Sequence, residues 1–343
     1  MLPLIALSAW LTASALLGSM LVPFDDDPEQ GEAPVAVAPA LSLHADESAF
    51  AAGAREALSE PEPLLGAPSL HNVFRLSEQI ISGGEPHDDA GFAAIAALGV
   101  RTILSVDGKS PDAAAAAAHG LTYVHVPIRY RGISEDELLR LTKTFREKPG
   151  PFYVHCFHGK HRGPAAAAVG RLVVDGASRQ QSLAEMRQWC GTSSKYEGLY
   201  QTVAANQLPS AAASAAYDWD FPAARAHAGF RTVMVEASRA FETLTTMEKN
   251  GWAVPDDHPD IDPVNESTVL ASLFSEAAAL DDVTSQPDDF RDWIQQSSSQ
   301  SLALRDVLSG IRRNGGEDWS TADAAYKALK GSCTACHKTY RND

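Results

Sequence analysis

The sequence predicts an α/β domain, with a mostly parallel sheet covered by helices, followed by an all-α four-helix bundle. Short β-forming runs alternate with helical runs between residues 72 and 206, and such alternation is typical of a parallel sheet with helices on both faces. Apolar residues recur at helical spacing from residue 222 to residue 340. Two cysteine motifs, one in each region, lie far apart in the chain. A chain of 343 residues with this pattern is expected to form two folded domains.

The domain limits follow from changes in composition. Residues 1–22 are almost wholly apolar, which predicts a signal peptide or an uncleaved membrane anchor. Residues 23–67 are rich in Pro, Ala, Glu and Asp with little periodicity, so we expect a disordered linker there. The α/β domain is assigned to 68–207, a linker rich in Ala and Ser to 208–216, and the bundle to 217–343. The formal net charge of −16 argues against nucleic acid as a partner, since a phosphate backbone requires basic surface.

The elements of the α/β domain are placed by periodicity and by stop signals. Strands are expected as a short pair within 72–82 and then at 100–106, 121–128 and 152–154. Helices are expected at 88–98, 111–119, 134–147, 163–174, 178–189 and 196–206. Asp107 directly follows the strand 100–106. It therefore lies at the carboxyl end of a parallel strand, where ligands bind in open α/β sheets.

The stretch from Tyr153 to Gly163 predicts a phosphate-binding catalytic loop. An apolar strand leads into Cys156, and helix formers follow Arg162, six positions later. Backbone N–H groups at the start of that helix attract an anion, and the same field favours the thiolate form of Cys156, which is then a nucleophile. The planar guanidinium of Arg162 can hold two phosphoryl oxygens. The residues expected to surround the phosphate are Phe157, His158, Gly159, Lys160 and His161.

The sequence His155-Cys156-x-x-Gly159-Lys160-His161-Arg162 resembles the signature loop of the protein tyrosine and dual-specificity phosphatases. It is most similar to the plant and fungal atypical branch, some of whose members act on inositol pyrophosphates. The resemblance, over roughly residues 69–203, implies an α/β sheet, no metal and a phosphocysteine intermediate. It also implies that Cys156 is the nucleophile, Arg162 the phosphate clamp, Gly159 the residue that allows close backbone approach, and His155 a hydrogen-bonding neighbour of the thiolate.

This chain departs from that family at one position of the loop. The family usually has Ser or Thr after the arginine, which helps the thiolate to leave, whereas this chain has Gly163. The residues alone also allow a buried structural cysteine, or a metal site built from the loop histidines His155, His158 and His161.

Phosphoryl transfer to Cys156 leaves an alkoxide that needs a proton, so an acid is expected nearby. The related phosphatases carry an aspartate after the strand that corresponds to 121–128, but this chain has Arg129-Tyr130-Arg131-Gly132 there. Asp107 is the preferred candidate and Asp136 the second, although Asp136 could instead complement a helix dipole. A positive mouth suited to polyanions is expected from four side chains, those of Arg129, Arg131, Lys160 and His158.

The motif Cys333-Thr334-Ala335-Cys336-His337 predicts covalent attachment of one c-type haem. Cys333 and Cys336 would form the thioether bonds, and His337 would bind the iron. A thioredoxin-like redox pair, a disulfide and a zinc half-site are the alternatives. Helices are expected at 222–249, 264–280, 290–311 and 320–340.

With this motif in its last helix, the segment 217–343 resembles the cytochrome c′ and c-556 family. The resemblance implies a haem inside a four-helix bundle, often in a homodimer. It places either Met234 or Val235 near the iron: Met234 would be a sixth ligand, whereas Val235 would leave an open site for small gases. His227 is a lesser candidate for the ligand. Met234 could also be a core methionine.

The remaining cysteine, Cys190, allows a redox role. In an oxidising compartment a disulfide with Cys156 could protect or switch the nucleophile. The alternative is a small buried apolar side chain.

These observations predict a periplasmic or otherwise extracytoplasmic phosphatase fused to a haem domain with a redox or sensing role. Its substrate would be a phosphorylated small molecule or protein, with a phosphate monoester or anhydride. Other expected partners are a redox protein, a second copy of the chain and, through residues 1–22, a membrane. The alternative is a haem protein for electron transfer or gas binding, whose phosphatase-like domain is inactive and only binds anions.

Overall fold

The computed structural model describes residues 37–61, 64, 70–224, 229–254, 261–316 and 318–340. The segment 1–22 and His227, for which predictions were made above, lie outside the described residues. None of the described helices is both long and apolar enough to cross a membrane. All described residues belong to one compact unit, in which an α/β part precedes a C-terminal helical region.

The α/β part is built on a five-stranded sheet. Its strands are β1 Phe74–Arg75, β2 Ile80–Gly83, β3 Thr102–Ser105, β4 Thr122–His125 and β5 Phe152–His155. Their order is β1-β2-β5-β3-β4, in which β1 pairs antiparallel with β2 and all other neighbours are parallel. The prediction of a mostly parallel sheet is confirmed, and the antiparallel strand lies at one edge.

Helices cover both faces of this sheet. They are α1 Ala49–Ala52, α2 Asp89–Ala97, α3 Ala113–Ala118, α4 Glu135–Glu147, α5 Arg162–Val174, α6 Arg179–Ala184, a π-helix Glu185–Trp189, a 3₁₀ turn Ser194–Tyr196, α7 Glu197–Ala205 and α8 Ala211–Ala216. Successive strand residues point to opposite faces. Ile103 and Tyr153 pack with Phe92 of α2, whereas Leu104 and Val154 join the larger core with α4, α5 and α7.

The structure differs from the prediction within 23–67. Residues around α1 pack on the α/β core, where Ala49 and Ala52 are fully buried. The Glu197 carboxylate of α7 accepts a hydrogen bond of 2.6 Å from the Ala49 N–H. Alanines have no periodic pattern that marks such burial, so composition alone predicted a linker.

The predicted linker 208–216 also contains structure, the short helix α8. The Ser210 hydroxyl caps it by accepting from the Ala213 N–H at 3.1 Å. The Ser214 hydroxyl lies 3.0 Å from that of Thr142 on α4. This segment is therefore held against the α/β part.

The helical region contains four long helices and a short one within the described residues. They are α9 Phe230–Lys249, α10 Pro263–Ala279, α11 Asp281–Thr284, α12 Asp288–Arg313 and α13 Ser320–Tyr340. Helix α10 packs against α9 and α12, and α12 packs against α13. Their apolar faces form a core of their own, which includes Val233, Leu270, Leu304 and Leu329. The C-terminal helices are present as expected, and a haem-enclosing four-helix bundle stays a prediction.

Candidate active site

The loop between β5 and α5 holds the predicted nucleophile beside a helix N-terminus. Cys156 follows the last residue of β5, and α5 begins at Arg162. Because β5 is the central strand, the loop is enclosed, and Cys156 is only 4% exposed. The predicted order of strand, loop and helix is confirmed in this stretch.

Two glycines allow the loop to pack closely. Gly159 has a φ of 70°, a conformation that favours glycine. A Cβ atom there would lie 2.4 Å from the carbonyl carbon of Gly83 and from the nitrogen of Gly84, so the close backbone approach is to the end of β2. Gly163 lies against the nucleophile, since a Cβ atom there would be 3.1 Å from the Cys156 nitrogen. A serine at this position would require a small shift of the loop.

The Arg162 guanidinium is buried between a carboxylate and an aromatic ring. Its Nη2 lies 2.5 Å from the Asp107 Oδ2. Its central carbon lies 4.3 Å from the centroid of the Tyr130 ring, a distance typical of a cation–π contact. The loop after β4, where the related phosphatases carry an aspartate, supplies this tyrosine instead. The predicted phosphate clamp is thus fixed from two sides.

Asp107 reaches the catalytic loop because of the strand register. Strands β3 and β5 pair Ser105 with His155, so two residues further along Asp107 meets Phe157. The Asp107 Oδ2 accepts a hydrogen bond of 3.1 Å from the Phe157 N–H, and its Oδ1 accepts one of 3.1 Å from the Lys109 N–H. The Asp107 carboxylate therefore binds the Phe157 N–H and the Arg162 guanidinium, two groups that were predicted from the sequence to bind phosphate.

The Asp107 carboxyl group is ionised at neutral pH. Burial opposes ionisation, but the Arg162 charge and the N–H groups of Lys109 and Phe157 outweigh it and hold the pKa of Asp107 below its usual value. The group is 3% exposed, and, being ionised and paired, it has no proton to donate to a leaving oxygen. This geometry favours a positioning function over the acid function predicted for Asp107.

His155 is buried beside the nucleophile. Its Nε2 lies 2.6 Å from the Tyr123 hydroxyl oxygen. Burial lowers the pKa of His155 to about 3, so the imidazole is neutral at physiological pH. The hydrogen bond to Tyr123 orients the His155 ring, and no sequence motif indicated this contact.

The remaining loop side chains bind neighbouring segments. The His161 Nδ1 accepts a hydrogen bond of 3.2 Å from the Ser193 N–H, and burial lowers its pKa to about 3. The Lys160 carbonyl accepts one of 2.6 Å from the Thr192 hydroxyl. The His158 Nε2 lies 3.6 Å from the Asp262 Oδ2 at the start of α10. These contacts, two from side chains and one from the Lys160 backbone, anchor the loop. Binding of phosphate by the loop N–H groups stays a prediction.

A cavity of about 900 Å³ adjoins this site. Asp107 and Arg162 line it, and so do Arg129 and Arg131 from the predicted positive mouth. His158, Lys160 and Cys156 do not line it in this conformation. Access of a substrate to Cys156 therefore involves the Asp107–Arg162 pair.

Asp136 lies on the wall of the same cavity, in the first turn of α4. Its carboxylate accepts a hydrogen bond from the Tyr217 hydroxyl and forms an ion pair of 2.7 Å with Arg140. Asp136 is exposed, unlike Asp107. It can therefore meet a leaving group that enters the cavity.

The haem-attachment motif lies on α13. Cys336 is buried and Cys333 half-buried at the apolar core of the helical region, while His337 is exposed. Met234 packs against that same core, whereas Val235 is 47% exposed. Two free thiols next to a histidine on one face of a helix, beside an apolar core, fit the donor set for a covalently held haem. Within the described residues no cluster of three or more His, Cys, Asp or Glu is arranged for a metal ion.

Cys190 is a free thiol, as is Cys156, and both are buried. Burial raises the pKa of Cys190 well above its usual value, so this thiol is protonated. A protonated, buried thiol agrees with Cys190 as a small apolar side chain of the core. A disulfide between Cys156 and Cys190 stays a prediction.

Comparisons with known proteins bear on the α/β part. No protein-family model matches the chain. Over 123 residues it is 29% identical to the dual specificity protein phosphatase TpbA of Pseudomonas aeruginosa strain UCBPP-PA14, a match that covers 35% of this chain and 55% of that protein. The chain thus spans about half the length of the curated relatives it matches.

Solved structures show weaker likeness. A crystal structure of P. aeruginosa TpbA matches with a TM-score of 0.35 and 26% identity, over 40% of this chain and 85% of that one. The core catalytic domain of the PP-IP phosphatase SIW14 from S. cerevisiae matches with a TM-score of 0.34 and 17% identity, over 40% of this chain and 88% of that one. Scores this low do not distinguish one activity from another. On the sequence match, the α/β part of this chain resembles the dual-specificity phosphatases.

Proposed function

We propose that the α/β part is a phosphatase that hydrolyses phosphate monoesters or anhydrides through a phosphocysteine on Cys156. The observation that carries this proposal is the Cys156-to-Arg162 loop, whose Phe157 N–H and Arg162 guanidinium together bind a carboxylate, that of Asp107. A phosphoryl group needs the same donors. The sequence match to TpbA supports the same reaction class, and a crystal structure of TpbA contains phosphotyrosine.

In the proposed reaction the substrate phosphoryl group displaces the Asp107 carboxylate from the Phe157 N–H and from one edge of Arg162. The Cys156 thiolate attacks phosphorus, so that an S–P bond forms while the bond to the leaving oxygen breaks. Arg162 and the loop N–H groups stabilise the charge on the three phosphoryl oxygens. A water molecule then attacks phosphorus, the S–P bond breaks with the Cys156 thiolate leaving, and the proton of the water passes to solvent as inorganic phosphate is released.

The leaving oxygen of a phosphate monoester needs a proton donor. Asp107 is ionised and paired, so we assign it to the positioning of Arg162. Asp136 is the candidate donor, because it is exposed on the cavity wall. A leaving group of low pKa, such as the phosphate of an anhydride, departs without a proton, and such a substrate would not depend on Asp136.

We also propose that the helical region carries one covalently attached haem c. Cys333 and Cys336 would hold the macrocycle, and His337 and Met234 would be the candidate iron ligands. The haem would supply one-electron redox chemistry or a site for a small gas. A redox partner protein and a homodimer through the helices belong to the same proposal. So does export of the chain, since c-type haem is attached outside the cytoplasm.

Hydrolysis of phenyl phosphate tests the phosphatase proposal. The haem-loaded full chain is compared with Cys156→Ser and with Cys190→Ser, which removes the other buried thiol of the α/β part. We expect turnover that disappears in Cys156→Ser and persists in Cys190→Ser. Equal turnover in the wild type and Cys156→Ser would show that another group performs the reaction.

A further inference from the structure

Part of the cavity wall belongs to the helical region. On α9 the lining residues are spaced by three, four and seven positions, and these are Glu236, Arg239, Ala240 and Thr243. This spacing places them on one face of the helix. Helix α10 adds Asn265, Glu266 and Val269 to the same wall. The space in front of the catalytic loop is thus shared by both parts of the chain.

Two contacts fix this wall to the catalytic side. The Arg129 Nη2 donates to the Glu236 Oε1 at 2.9 Å. Asp262, the N-cap of α10, lies 3.6 Å from His158 of the catalytic loop and also pairs with Arg312 at 2.5 Å. Glu236, in the first half of α9, and Asp262, at the start of α10, therefore lie close to loops that carry the active site. The cavity between them is a built feature of the fold.

Around Glu236 the arginines outnumber the carboxylates. Glu236 is shared by two guanidinium groups, because Arg239 donates to the same Oε1 at 2.6 Å. One carboxylate thus faces Arg129 and Arg239, which leaves a positive charge unbalanced in this cluster. Arg131 also lines the cavity, and within the described part of the chain its guanidinium forms no ion pair. The other carboxylates that line the cavity are Asp107 and Asp136, which pair with Arg162 and Arg140, Glu137, which accepts from the Ser134 N–H at 2.7 Å, and Glu266 on α10.

The size of the cavity limits what enters it. A volume of about 900 Å³ lies within the range of pockets that enclose small molecules, roughly 300–1,000 Å³. A compact phosphorylated molecule therefore fits within it.

We infer that the substrate is a small phosphorylated molecule with a second anionic group, and that Arg239 of the helical region binds this second group. The inference rests on the proposed phosphatase activity of Cys156. In this arrangement Arg162 holds the phosphoryl group that is transferred, and Arg239 holds the other anion across the cavity. Arg239 is therefore a specificity-determining residue contributed by a part of the chain that has no role in the chemical step.

Two probes that differ in one phosphate test this inference. Phenyl phosphate has a single anionic group, and hydroquinone bisphosphate adds a second one on the opposite side of the same ring. The measured quantity is the ratio of kcat/KM for the bisphosphate to kcat/KM for the monophosphate. In the wild type we expect the bisphosphate to be preferred about tenfold, since a charged hydrogen bond has about that effect on binding.

Arg291 provides a matched control for Arg239. Both are 48% exposed, and both pair with a carboxylate three residues earlier on their helix, but Arg291 lies on α12 and does not line the cavity. We expect Arg239→Ala to lower the ratio about tenfold through KM of the bisphosphate, Arg239→Lys to restore part of it, and Arg291→Ala to keep the wild-type ratio.

The outcomes separate the two proposals. Equal ratios in Arg239→Ala and Arg291→Ala, with turnover abolished by Cys156→Ser, would overturn the inference and leave the phosphatase proposal standing. Faster turnover of a folded phosphotyrosine protein than of either probe would also overturn it. Absence of Cys156-dependent turnover with all of these compounds would overturn the phosphatase proposal itself.

Discussion

The Asp107 carboxylate lies 2.5 Å from the Arg162 guanidinium, and both side chains are buried. The ion pair holds the arginine at the start of α5. The Asp107 carboxylate also occupies two donors that a phosphoryl group needs, the Arg162 Nη2 and the Phe157 N–H. Asp107 is thereby both a support for Arg162 and a competitor of the substrate. This double function predicts distinct effects on stability and on anion binding.

Asp107→Asn should destabilise the protein by about 3 kcal/mol, because it leaves the buried Arg162 charge without its partner. Asp136→Asn removes an exposed ion pair with Arg140 and should cost less than about 1 kcal/mol. Urea unfolding of both variants measures the difference. Inorganic phosphate should raise the Tm of Asp107→Asn more than that of the wild type, since phosphate replaces the missing carboxylate. Similar costs for both variants and no extra effect of phosphate would contradict this account of the pair.

Gly159→Ala should abolish activity, because it displaces the catalytic loop. It should also destabilise the protein by more than the strain of placing an alanine at a positive φ. Gly120→Ala is the matched control, because Gly120 has a φ of 72° and no atom within 4 Å of an added Cβ. The control should cost about 1–2 kcal/mol from backbone strain. Gly159→Ala adds the clash with Gly83 and Gly84. Equal unfolding free energies for the two variants would show that the contact with β2 is loose.

The buried histidines predict a loss of stability in mild acid. The pKa of His161 is lowered to about 3 in the folded protein, whereas the pKa of a histidine in the unfolded chain is about 6.5. As the pH falls, the unfolded chain therefore binds the proton first. The contribution of His161 is therefore complete above about pH 6.5 and decreases towards pH 3, by about 1.4 kcal/mol per pH unit. His155 behaves in the same way. Unfolding free energies of His161→Gln should depend less on pH than those of the wild type. Parallel pH profiles for the two proteins would rule this out.

The haem proposal predicts a haem that stays with the chain under denaturing conditions. After expression with a c-type haem maturation system, the wild type should keep its Soret absorbance through acid–acetone extraction, and Cys333→Ser with Cys336→Ser should lose it. Met234→Ala should change the iron spectrum if this side chain binds iron, and Val235→Ala, at an exposed neighbouring position, should not. An extractable haem in the wild type would contradict covalent attachment.

The sequence predicted the parts of the site that depend on local pattern and strand order. Apolar runs and glycine stops placed the strands and helices of the α/β part, and the end of β3 placed Asp107 beside the catalytic loop. The function of Asp107 could not be predicted, because it depends on which side chain the register brings opposite Phe157 and Arg162. A carboxylate near a nucleophile suggests an acid until its partners are known.

The contacts that sequence reasoning missed join segments far apart in the chain. Glu197 bonds the start of α1, Tyr123 orients His155, and Glu236 reaches Arg129. No periodicity marks such pairs. The face of α9 formed by Glu236, Arg239 and Thr243 has the spacing of an ordinary exposed helix surface, so its position over the active site is visible only in three dimensions.

In the proposed reaction Cys156 carries the phosphoryl group, and a single-turnover experiment can detect it there. The full chain is mixed with radiolabelled phenyl phosphate, quenched in acid and digested, and the label is assigned to a peptide. We expect label on the peptide that contains Cys156, none in Cys156→Ser, and undiminished label in Cys190→Ser. Phenyl phosphate turnover without a labelled Cys156 peptide would contradict it.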